Sequence, residues 1–334
     1  MSAVPDGLPS GRRVSVLAPD GVPEVRPGDD LAALLLPLVE LRDGDVVVVT
    51  SKVVSKSEGR VRRGTREEAL PGETARVVAR RGPTTIVRTR HGLTMAAAGI
   101  DGSNVEAGTV VLLPEDPDAS ARRLRGAVRA EAGVNVGVVV TDTAGRAWRE
   151  GQTDLAVGAA GLVVLEDFAG REDAHGNPLA VTAPAVADEI AGMAELAQGK
   201  LGGRPFAVVR GRADLVLPVG DDGAGARALV RTEGADLFGY GAREAVLRAL
   251  RGDPADRAPF GAAAPADELA DAVRTVLGPA AAATTDGTDG LEVVCDAAAV
   301  PVVAALAFAH GWERSAQPGA GESAGPVRLR PASP

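Results

Sequence analysis

The segment GVVVTDTAGRAWREGQTD, residues 137–154, places polar side chains directly after an apolar run. Asp142 lies between two threonines, and Thr143 is followed by Arg146 and Arg149. These residue types are common in ordinary turns. They also include hard oxygen ligands, which suit Mg²⁺ or Mn²⁺ when water and phosphate oxygens complete the coordination. The segment is therefore either a turn or a site for a metal and a phosphorylated ligand.

A second polar stretch, SKVVSKSEGR, follows the apolar run DVVVVT. It carries Ser51, Lys52, Ser55 and Lys56. Because α/β proteins bind ligands at the carboxyl ends of their strands, these lysines and hydroxyls are candidates for holding phosphates. The alternative is the exposed start of a helix with solvated lysines.

A third stretch, AAAGIDGSNVEAG, places Asp101, Ser103 and Asn104 after residues too small to fill a core. Small residues let the backbone approach a ligand closely. Asp101 and Asp142 form a natural pair of hard anionic ligands, and with the hydroxyl of Thr143 they suit Mg²⁺ or Mn²⁺. Their spacing alone does not specify a site.

Other common sites are not indicated. His91, His175 and His310 are scattered, with no HExxH pattern, and the single cysteine is Cys295, so zinc catalysis is disfavoured. The segment GDDGAG matches neither a P-loop nor a dinucleotide fingerprint, and no GxSxG motif is present.

Composition narrows the class of protein further. A content of 45% hydrophobic residues over 334 is typical of a globular chain. The net charge of -9 disfavours a nucleic-acid partner, because such proteins usually carry a basic stripe. The opening segment lacks the apolar core of a leader, and the apolar runs are too short to span a bilayer. We therefore expect a cytoplasmic protein with no membrane partner.

Short β-branched runs alternate with helical stretches, and several strands are continuously apolar, which predicts sheets covered on both faces. The fold class is therefore α/β, with a spacing of elements too irregular for a simple doubly wound sheet. Predicted strands are Arg13–Leu17, Asp45–Thr50, Thr84–Arg88, Thr109–Leu113, Val134–Val140, Leu162–Leu165 and Phe206–Arg210. Predicted helices are Asp30–Leu41, Asp118–Ala132, Pro184–Gln198 and Ala242–Arg251.

The C-terminal quarter reads as a separate small α/β module. A stretch rich in Pro, Ala and charge near residues 250–260 predicts a boundary, with a main domain at 13–250 and an appended module at 260–334. The predicted elements of the module are helix Asp267–Leu277, a Thr/Gly/Asp linker at 284–290, a strand LEVVC that places Cys295 in the core, helix Ala297–Ala309 and a loose tail.

Five segments of the chain, taken in order, resemble the coenzyme F420:L-glutamate ligase family, in particular the N-terminal ligase domain of its two-domain actinobacterial members. They are GVPEVRPGDDL, DGDVVVVTSKVVSKSEGR, GLTMAAAGIDGSNV, VVVTDTAGRAWREGQTDLAVGAAG and VADEIAGMAELAQGK. The resemblance covers about residues 13–250.

The resemblance implies a GTP-dependent ligase that adds γ-linked L-glutamate to the deazaflavin coenzyme precursor. It also implies an α/β fold with α+β character built on a mixed sheet, two Mg²⁺ or Mn²⁺ sites, K⁺ and an intertwined homodimer. Carried over motif by motif, the GTP-binding residues would be Val22, Pro23, Glu24, Val25, Ser51, Lys56 and Asn104. The metal ligands would be Asp101, Asp142 and Thr143.

The residue types are compatible with this chemistry. A carboxylate needs activation before an amine attacks it, most simply as an acyl phosphate made from the γ-phosphate of GTP. No protein nucleophile is required, so no catalytic residue is assigned. Arg146 and Arg149 would bind the precursor's phosphodiester or glutamate, or else form a structural salt bridge. Two other functions use the same residues, namely a metal-dependent GTP phosphohydrolase and a GTP-sensing regulatory protein.

The chain departs from its two-domain relatives at the C-terminus. Those relatives carry a nitroreductase-like flavin domain after the ligase, but only about 85 residues remain here, below the usual domain size of ~100 to 150 residues. We therefore expect no bound flavin, and interpret the module as a remnant or replacement of that domain.

Overall fold

The computed structural model describes residues 11–285, 290–315 and 326–332. The chain divides into two compact units. The first comprises residues up to Arg76 together with Ile86–Val230, and the second comprises Val77–Thr85 together with the chain from Arg231 onward. This division places residues 231–250 in the second unit, whereas the predicted ligase domain ran to residue 250.

The elements are given in chain order. The strands are β1 Ser15–Leu17, β2 Val46–Thr50, β3 Val61–Arg63, β4 Thr74–Arg81, β5 Thr84–Thr89, β6 Thr94–Ala96, β7 Thr109–Val111, β8 Gly137–Arg146, β9 Arg149–Ala160, β10 Phe206–Arg210, β11 Ala281–Thr285, β12 Leu291–Cys295, β13 Trp312–Arg314 and β14 Val327–Pro331. The helices are α1 Leu31–Leu35, α2 Ser51–Ser57, α3 Arg66–Glu73, α4 Pro117–Ala132, α5 Val186–Gln198, α6 Ala242–Arg251, α7 Ala266–Leu277 and α8 Val300–Ala309.

A five-stranded mixed sheet forms the centre of the first unit, with strand order β1-β10-β2-β8-β9. Strands β2 and β8 are parallel, and the other neighbouring strands are antiparallel. Successive side chains of a strand point to opposite faces. Val47 and Val49 accordingly share a core cluster with Leu124 of α4, while Val46 and Val48 share a second cluster with Ile190 of α5. The prediction of a mixed sheet covered on both faces is confirmed.

Local signals explain where the helices begin and end. The Asp116 carboxylate accepts from the Ala119 N–H to cap α4, and Gly133 ends this helix at φ +74°. Helix α1 ends at Leu35 rather than at the predicted Leu41, because Pro37 has no N–H to continue the helical hydrogen bonds.

Two strand predictions need correction. The predicted strand Leu162–Leu165 does not form, since Leu162 makes only an isolated bridge to Val216. The predicted strand Val134–Val140 instead runs from Gly137 to Arg146, through the polar segment, because it pairs with the unpredicted β9 in a long hairpin.

The second unit has its own core. Its four-stranded antiparallel sheet has the order β11-β12-β14-β13, and α7 and α8 contribute Leu269 and Val303 to the cluster beneath it. The segment predicted as a loose tail therefore contains two strands. The predicted linker at 284–290 overlaps the end of β11, and its residues 286–289 lie outside the described part of the chain. Cys295 packs against this core but is only half-buried.

Among the described residues, no helix combines the length and apolar character that crossing a membrane requires.

Candidate functional site

The parallel pairing of β2 and β8 brings two polar segments together. Thr50 lies opposite Thr141 in this register, so the residues that follow them meet at one edge of the sheet. The Ser51 hydroxyl donates to the Asp142 carboxylate at 3.0 Å, although 91 residues separate the two in the chain. The polar segment after Val140 therefore lies beside helix α2.

Asp142 is electrostatically unusual. The residue keeps part of its surface accessible, but its carboxyl is surrounded by protein atoms, and this burial raises its pKa to about 7. The charges of Asp154 and Asp101 raise the pKa further, while hydrogen bonds from Ser51 and the Thr143 N–H act in the opposite direction. A cation beside the Asp142 carboxyl would stabilise its ionised form.

Asp101 forms an ion pair with Lys52. The Lys52 ammonium lies 2.6 Å from the Asp101 carboxylate and also donates to the Ser103 hydroxyl at 2.8 Å. Ser103 in turn donates to Asp101 through its N–H and its hydroxyl, each at 2.8 Å. Burial raises the pKa of Asp101, but these hydrogen bonds outweigh it and hold the pKa below its usual range. Asp101 is therefore an anion with positive charge already beside it.

A second lysine, Lys56, contacts two other predicted nucleotide-binding residues. The Lys56 ammonium contacts the Glu24 carboxylate at 2.5 Å and donates to the Asn104 carbonyl at 2.9 Å. Lys56 is buried, with 7% of its surface exposed, and Ser51 and Ser55 are buried as well. A helix does begin here, as the alternative interpretation predicted. Its prediction of solvated lysines is wrong for Lys56.

A third lysine, Lys200, lies at the same edge of the central sheet but on its other face. The Thr143 hydroxyl donates to the Asp154 carboxylate at 2.7 Å and accepts from the Lys200 ammonium at 2.9 Å. Burial and the charge of Asp154 raise the pKa of the nearby Glu195 carboxyl. Sequence reasoning gave Lys200 no role, although it ends one of the five segments that carried the family resemblance.

The loop before Asp101 has an unusual backbone. Ala97, Ala98 and Gly99 all have positive φ, and so does Asn104 at +54°. A Cβ at Gly99 would lie 2.9 Å from Leu113, so this position requires glycine. Left-handed alanines are uncommon and are maintained only when the surrounding structure determines them, as often occurs at functional sites.

The remaining predicted residues lie in two places. Val25 is buried and Val22 packs on the main core, while Pro23 is exposed beside Glu24. Arg146 and Arg149 lie exposed and opposite each other at the far end of the β8–β9 hairpin, where Arg146 donates to the Glu150 carbonyl. Three residues of strand separate Arg146 from Thr143, a distance of about 10 Å. The structure does not bring these arginines to the carboxylates.

The donor set fits a hard divalent cation. Within the described ranges, no group of three or more His, Cys, Asp or Glu side chains could hold a metal ion by itself. Two carboxylates and a hydroxyl would leave coordination positions for water and phosphate oxygens, which is the usual arrangement for Mg²⁺. The Ser51 contact that positions the Asp142 carboxylate at this edge, with the raised pKa of that carboxyl beside Asp101 and Asp154, favours a cation here.

A separate, open cavity of about 200 Å³ lies in the first unit. Its walls include the turn after β5, the beginning of α4 and Val157 of β9. None of the predicted site residues lines it.

Comparison with known proteins gives a consistent result. The profile of a family described as F420-0:Gamma-glutamyl ligase matches residues 21–82 and 66–211, together more than half of the chain. A coenzyme F420:L-glutamate ligase from Archaeoglobus fulgidus is 42% identical over 221 residues, which cover 60% of this chain and 88% of the relative.

Two further relatives carry the same name. The one from Methanopyrus kandleri is 40% identical over 237 residues, covering 64% of this chain and 93% of the relative. The one from Haloarcula marismortui is 41% identical over 224 residues, covering 59% of this chain and 87% of the relative. All three matches span nearly the whole relative and leave the rest of this chain unmatched.

Proposed function

The chain belongs to the F420-0:gamma-glutamyl ligase family, and we propose that it is a GTP-dependent ligase that joins L-glutamate, through γ-linkages, to the deazaflavin precursor of coenzyme F420. The ligase class and the place in coenzyme F420 biosynthesis follow from the relatives. The nucleotide, the metals, K⁺ and the homodimer are parts of the proposal.

One observation of the structure supports the nucleotide most strongly. The ammonium groups of Lys52, Lys56 and Lys200 each contact one of the predicted site segments, at Asp101, the Asn104 carbonyl and Thr143 respectively. Ammonium groups close to carboxylates suit phosphates bridged to a divalent cation. Asp101, Asp142 and Thr143 would hold that cation, which would supply charge neutralisation at the phosphate oxygens.

The first step activates the precursor. Its carboxylate oxygen attacks the γ-phosphorus of GTP, the bond to the β-phosphate oxygen breaks, and GDP leaves with the electron pair. Two anions must approach, at a cost of several kcal/mol near an effective dielectric of about 20. Lys56 and Lys200, which are held in place by Glu24 and Thr143, would offset this repulsion.

The second step forms the amide. The glutamate nitrogen, once its ammonium group has lost a proton to solvent, attacks the carbonyl carbon of the acyl phosphate. The bond from that carbon to the phosphate oxygen breaks, and the phosphate leaves as HPO₄²⁻ with a second proton from the nitrogen. The chain's part is to hold the two reactants together and to exclude water, which otherwise hydrolyses the acyl phosphate. No protein nucleophile takes part.

The phosphohydrolase and regulatory alternatives are not favoured, because the relatives are named ligases and the matches cover nearly their whole lengths. Incubating the protein with GTP, Mn²⁺, glutamate and the purified precursor separates the three functions. A ligase yields a glutamylated precursor by mass spectrometry, in proportion to the GDP formed. GDP formed without that product would indicate a phosphohydrolase, and bound but unreacted GTP would indicate a regulator.

A further inference from the structure

The Thr143 hydroxyl has two neighbours whose hydrogen-bonding roles are fixed by their chemistry. The Lys200 ammonium, 2.9 Å away, can only donate, and an ionised Asp154 carboxylate, 2.7 Å away, can only accept. The single hydroxyl proton therefore goes to Asp154, and one lone pair of the oxygen accepts from Lys200. A hydroxyl oxygen has two lone pairs, so one remains. Asp154 thus determines the direction in which the Thr143 oxygen can accept a further partner.

Asp154 is an unusual residue to find in this position. It is buried, with 3% of its surface exposed, and lies directly opposite Thr143 in the register of β8 and β9. Over the described part of the chain, its carboxylate forms no ion pair, and its side-chain partner is the Thr143 hydroxyl. Burying a carboxylate without a cation beside it costs stability. Stability of the fold alone therefore does not explain an aspartate here.

A β-bulge sets the face of the sheet on which Asp154 lies. The register of β8 and β9 shifts by one residue after Val140, which leaves Val157 as an extra residue in β9. Without this extra residue, every side chain of β9 before the shift would change face, and Asp154 would leave the face of Thr143. Bulges are frequent beside active sites, where they redirect a side chain.

Helix α5 stabilises this arrangement. The Asp188 carboxylate, from the first turn of α5, accepts from the Ala156 N–H at 2.9 Å, next to the extra residue of the bulge. Lys200 follows the end of the same helix and supplies the second partner of the Thr143 hydroxyl. Two strands and a helix therefore determine the contact between Asp154 and Thr143.

We propose that Asp154 is a positioning residue, which directs the remaining lone pair of the Thr143 oxygen toward a divalent cation bound at this edge of the sheet. This inference rests on the proposed function, in which Thr143 is a metal ligand. Carboxylates that orient a metal ligand through a hydrogen bond typically strengthen metal binding about 10- to 100-fold. Asp154 acts here through Thr143 and is not itself assigned as a ligand.

A double-mutant cycle separates this hydrogen bond from the charge of Asp154. The carboxylate also attracts a cation through space, and that attraction is present with or without the Thr143 hydroxyl. Mn²⁺ affinity is measured by paramagnetic resonance of free Mn²⁺, with equal GDP in every sample and a protein-free blank. We expect Asp154→Asn to lower the affinity at least about tenfold in the wild-type background. The loss should be at least about fivefold smaller when Thr143→Val is also present.

Glu195→Gln is the matched control. It removes a carboxyl whose pKa is raised by the charge of Asp154, and within the described ranges this carboxyl makes no hydrogen bond to the Thr143 hydroxyl. Its effect on Mn²⁺ affinity should be the same in both backgrounds. Thr143→Val alone should weaken Mn²⁺ binding as much as Asp154→Asn, whereas Thr143→Ser keeps the hydroxyl and should retain most of the affinity. Circular dichroism of each variant checks folding.

Equal losses from Asp154→Asn in the two backgrounds, or no loss in either, would overturn the positioning role. A wild-type protein that binds no Mn²⁺ beyond the blank would also overturn it. Assaying the same proteins for glutamylated product separates this inference from the proposed function. The expected cycle without any product would support the positioning role and remove the ligase proposal. Product formed by a protein whose cycle shows equal losses would do the reverse.

Discussion

At the scale of single residues, the site places lysines in direct contact with carboxylates, Lys52 with Asp101 and Lys56 with Glu24. The ionised form of Asp142 is disfavoured, since burial and its anionic neighbours raise the pKa of its carboxyl to about 7. Asp101 is the opposite case, because Lys52 and Ser103 stabilise its charge. The two aspartates therefore depend differently on a bound cation, although both are hard oxygen ligands.

Asp142→Asn and Asp101→Asn should each lower kcat/KM for ligation at least about 100-fold, or about 2.7 kcal/mol of transition-state stabilisation. Each substitution removes an anionic ligand while preserving size. The measurement is steady-state ligation at limiting Mn²⁺, with circular dichroism as the control for folding. Near-native turnover in either variant would show that the aspartate does not hold the metal.

Lys56→Met should weaken GTP binding at least about tenfold, because it removes a buried cation but keeps most of the side-chain volume. GTP affinity is measured by calorimetry. Arg129→Met, an exposed change near the end of α4, is the matched control and should leave affinity unchanged. Equal GTP affinities of Lys56→Met and the wild type would leave Lys56 as a purely structural partner of Glu24.

At the scale of elements, the site depends on where β2 and β8 end and on how closely α4 approaches β9. Gly158 lies under the first turn of α4, and a Cβ there would lie 2.4 Å from the carbonyl carbon and oxygen of Pro117. The contact is with backbone, which cannot move aside as a side chain can. This contact fixes the position of α4 over the hairpin that carries Asp154.

Gly158→Ala should therefore lower the free energy of unfolding by about 1–3 kcal/mol, as overpacked positions do. Gly126→Ala is the matched control, since this helical glycine is exposed and nothing lies within 4 Å of an added Cβ. The control should stabilise the chain by about 0.5–1 kcal/mol. Urea unfolding of both variants measures the two values, and a neutral Gly158→Ala would refute the close approach.

The sequence predicted the elements with strong local signals. Phe206–Arg210 and Ala242–Arg251 form with the predicted bounds, and the valine run predicted a sheet buried on both faces. The sequence did not predict β9, because apolar and polar residues do not alternate regularly in REGQTDLAVGAA. This segment forms a strand through its pairing with β8. Local pattern cannot reveal such tertiary pairing.

The same distinction applies to the site. Asp101, Asp142, Ser51 and Lys56 could be proposed from the sequence, because polar residues after apolar runs are visible in the chain. The contact of Lys200 with Thr143 could not be foreseen, because it depends on the path of α5, which places the helix end beside Thr143. The residues that line the cavity beside α4 could not be grouped for a similar reason, since they come from four separate segments.

At the scale of the whole molecule, the chain has two compact units, and every predicted site residue belongs to the first. The matched relatives cover that part of the chain, from residue 21 to 211 in the family profile. The second unit has its own core around Leu269 and Leu291. A core of this kind can lose stability without altering the chemistry of the other unit.

Leu291→Ala, at a position with 1% of its surface exposed, should destabilise the second unit by about 2–5 kcal/mol. Scanning calorimetry should show one transition moved to lower temperature, while kcat/KM for ligation at 25 °C stays within threefold of the wild-type value. Ligation that is lost in proportion to the stability of this unit would mean that it takes part in the reaction.

The most direct test of the account follows an oxygen atom. Precursor labelled with ¹⁸O in its carboxylate is incubated with GTP, Mn²⁺ and glutamate, and the released inorganic phosphate is analysed by mass spectrometry. If the carboxylate attacks the γ-phosphorus, one labelled oxygen passes to each phosphate, in step with amide formation, and no labelled phosphate appears without precursor. Unlabelled phosphate released alongside the glutamylated product would contradict activation through an acyl phosphate.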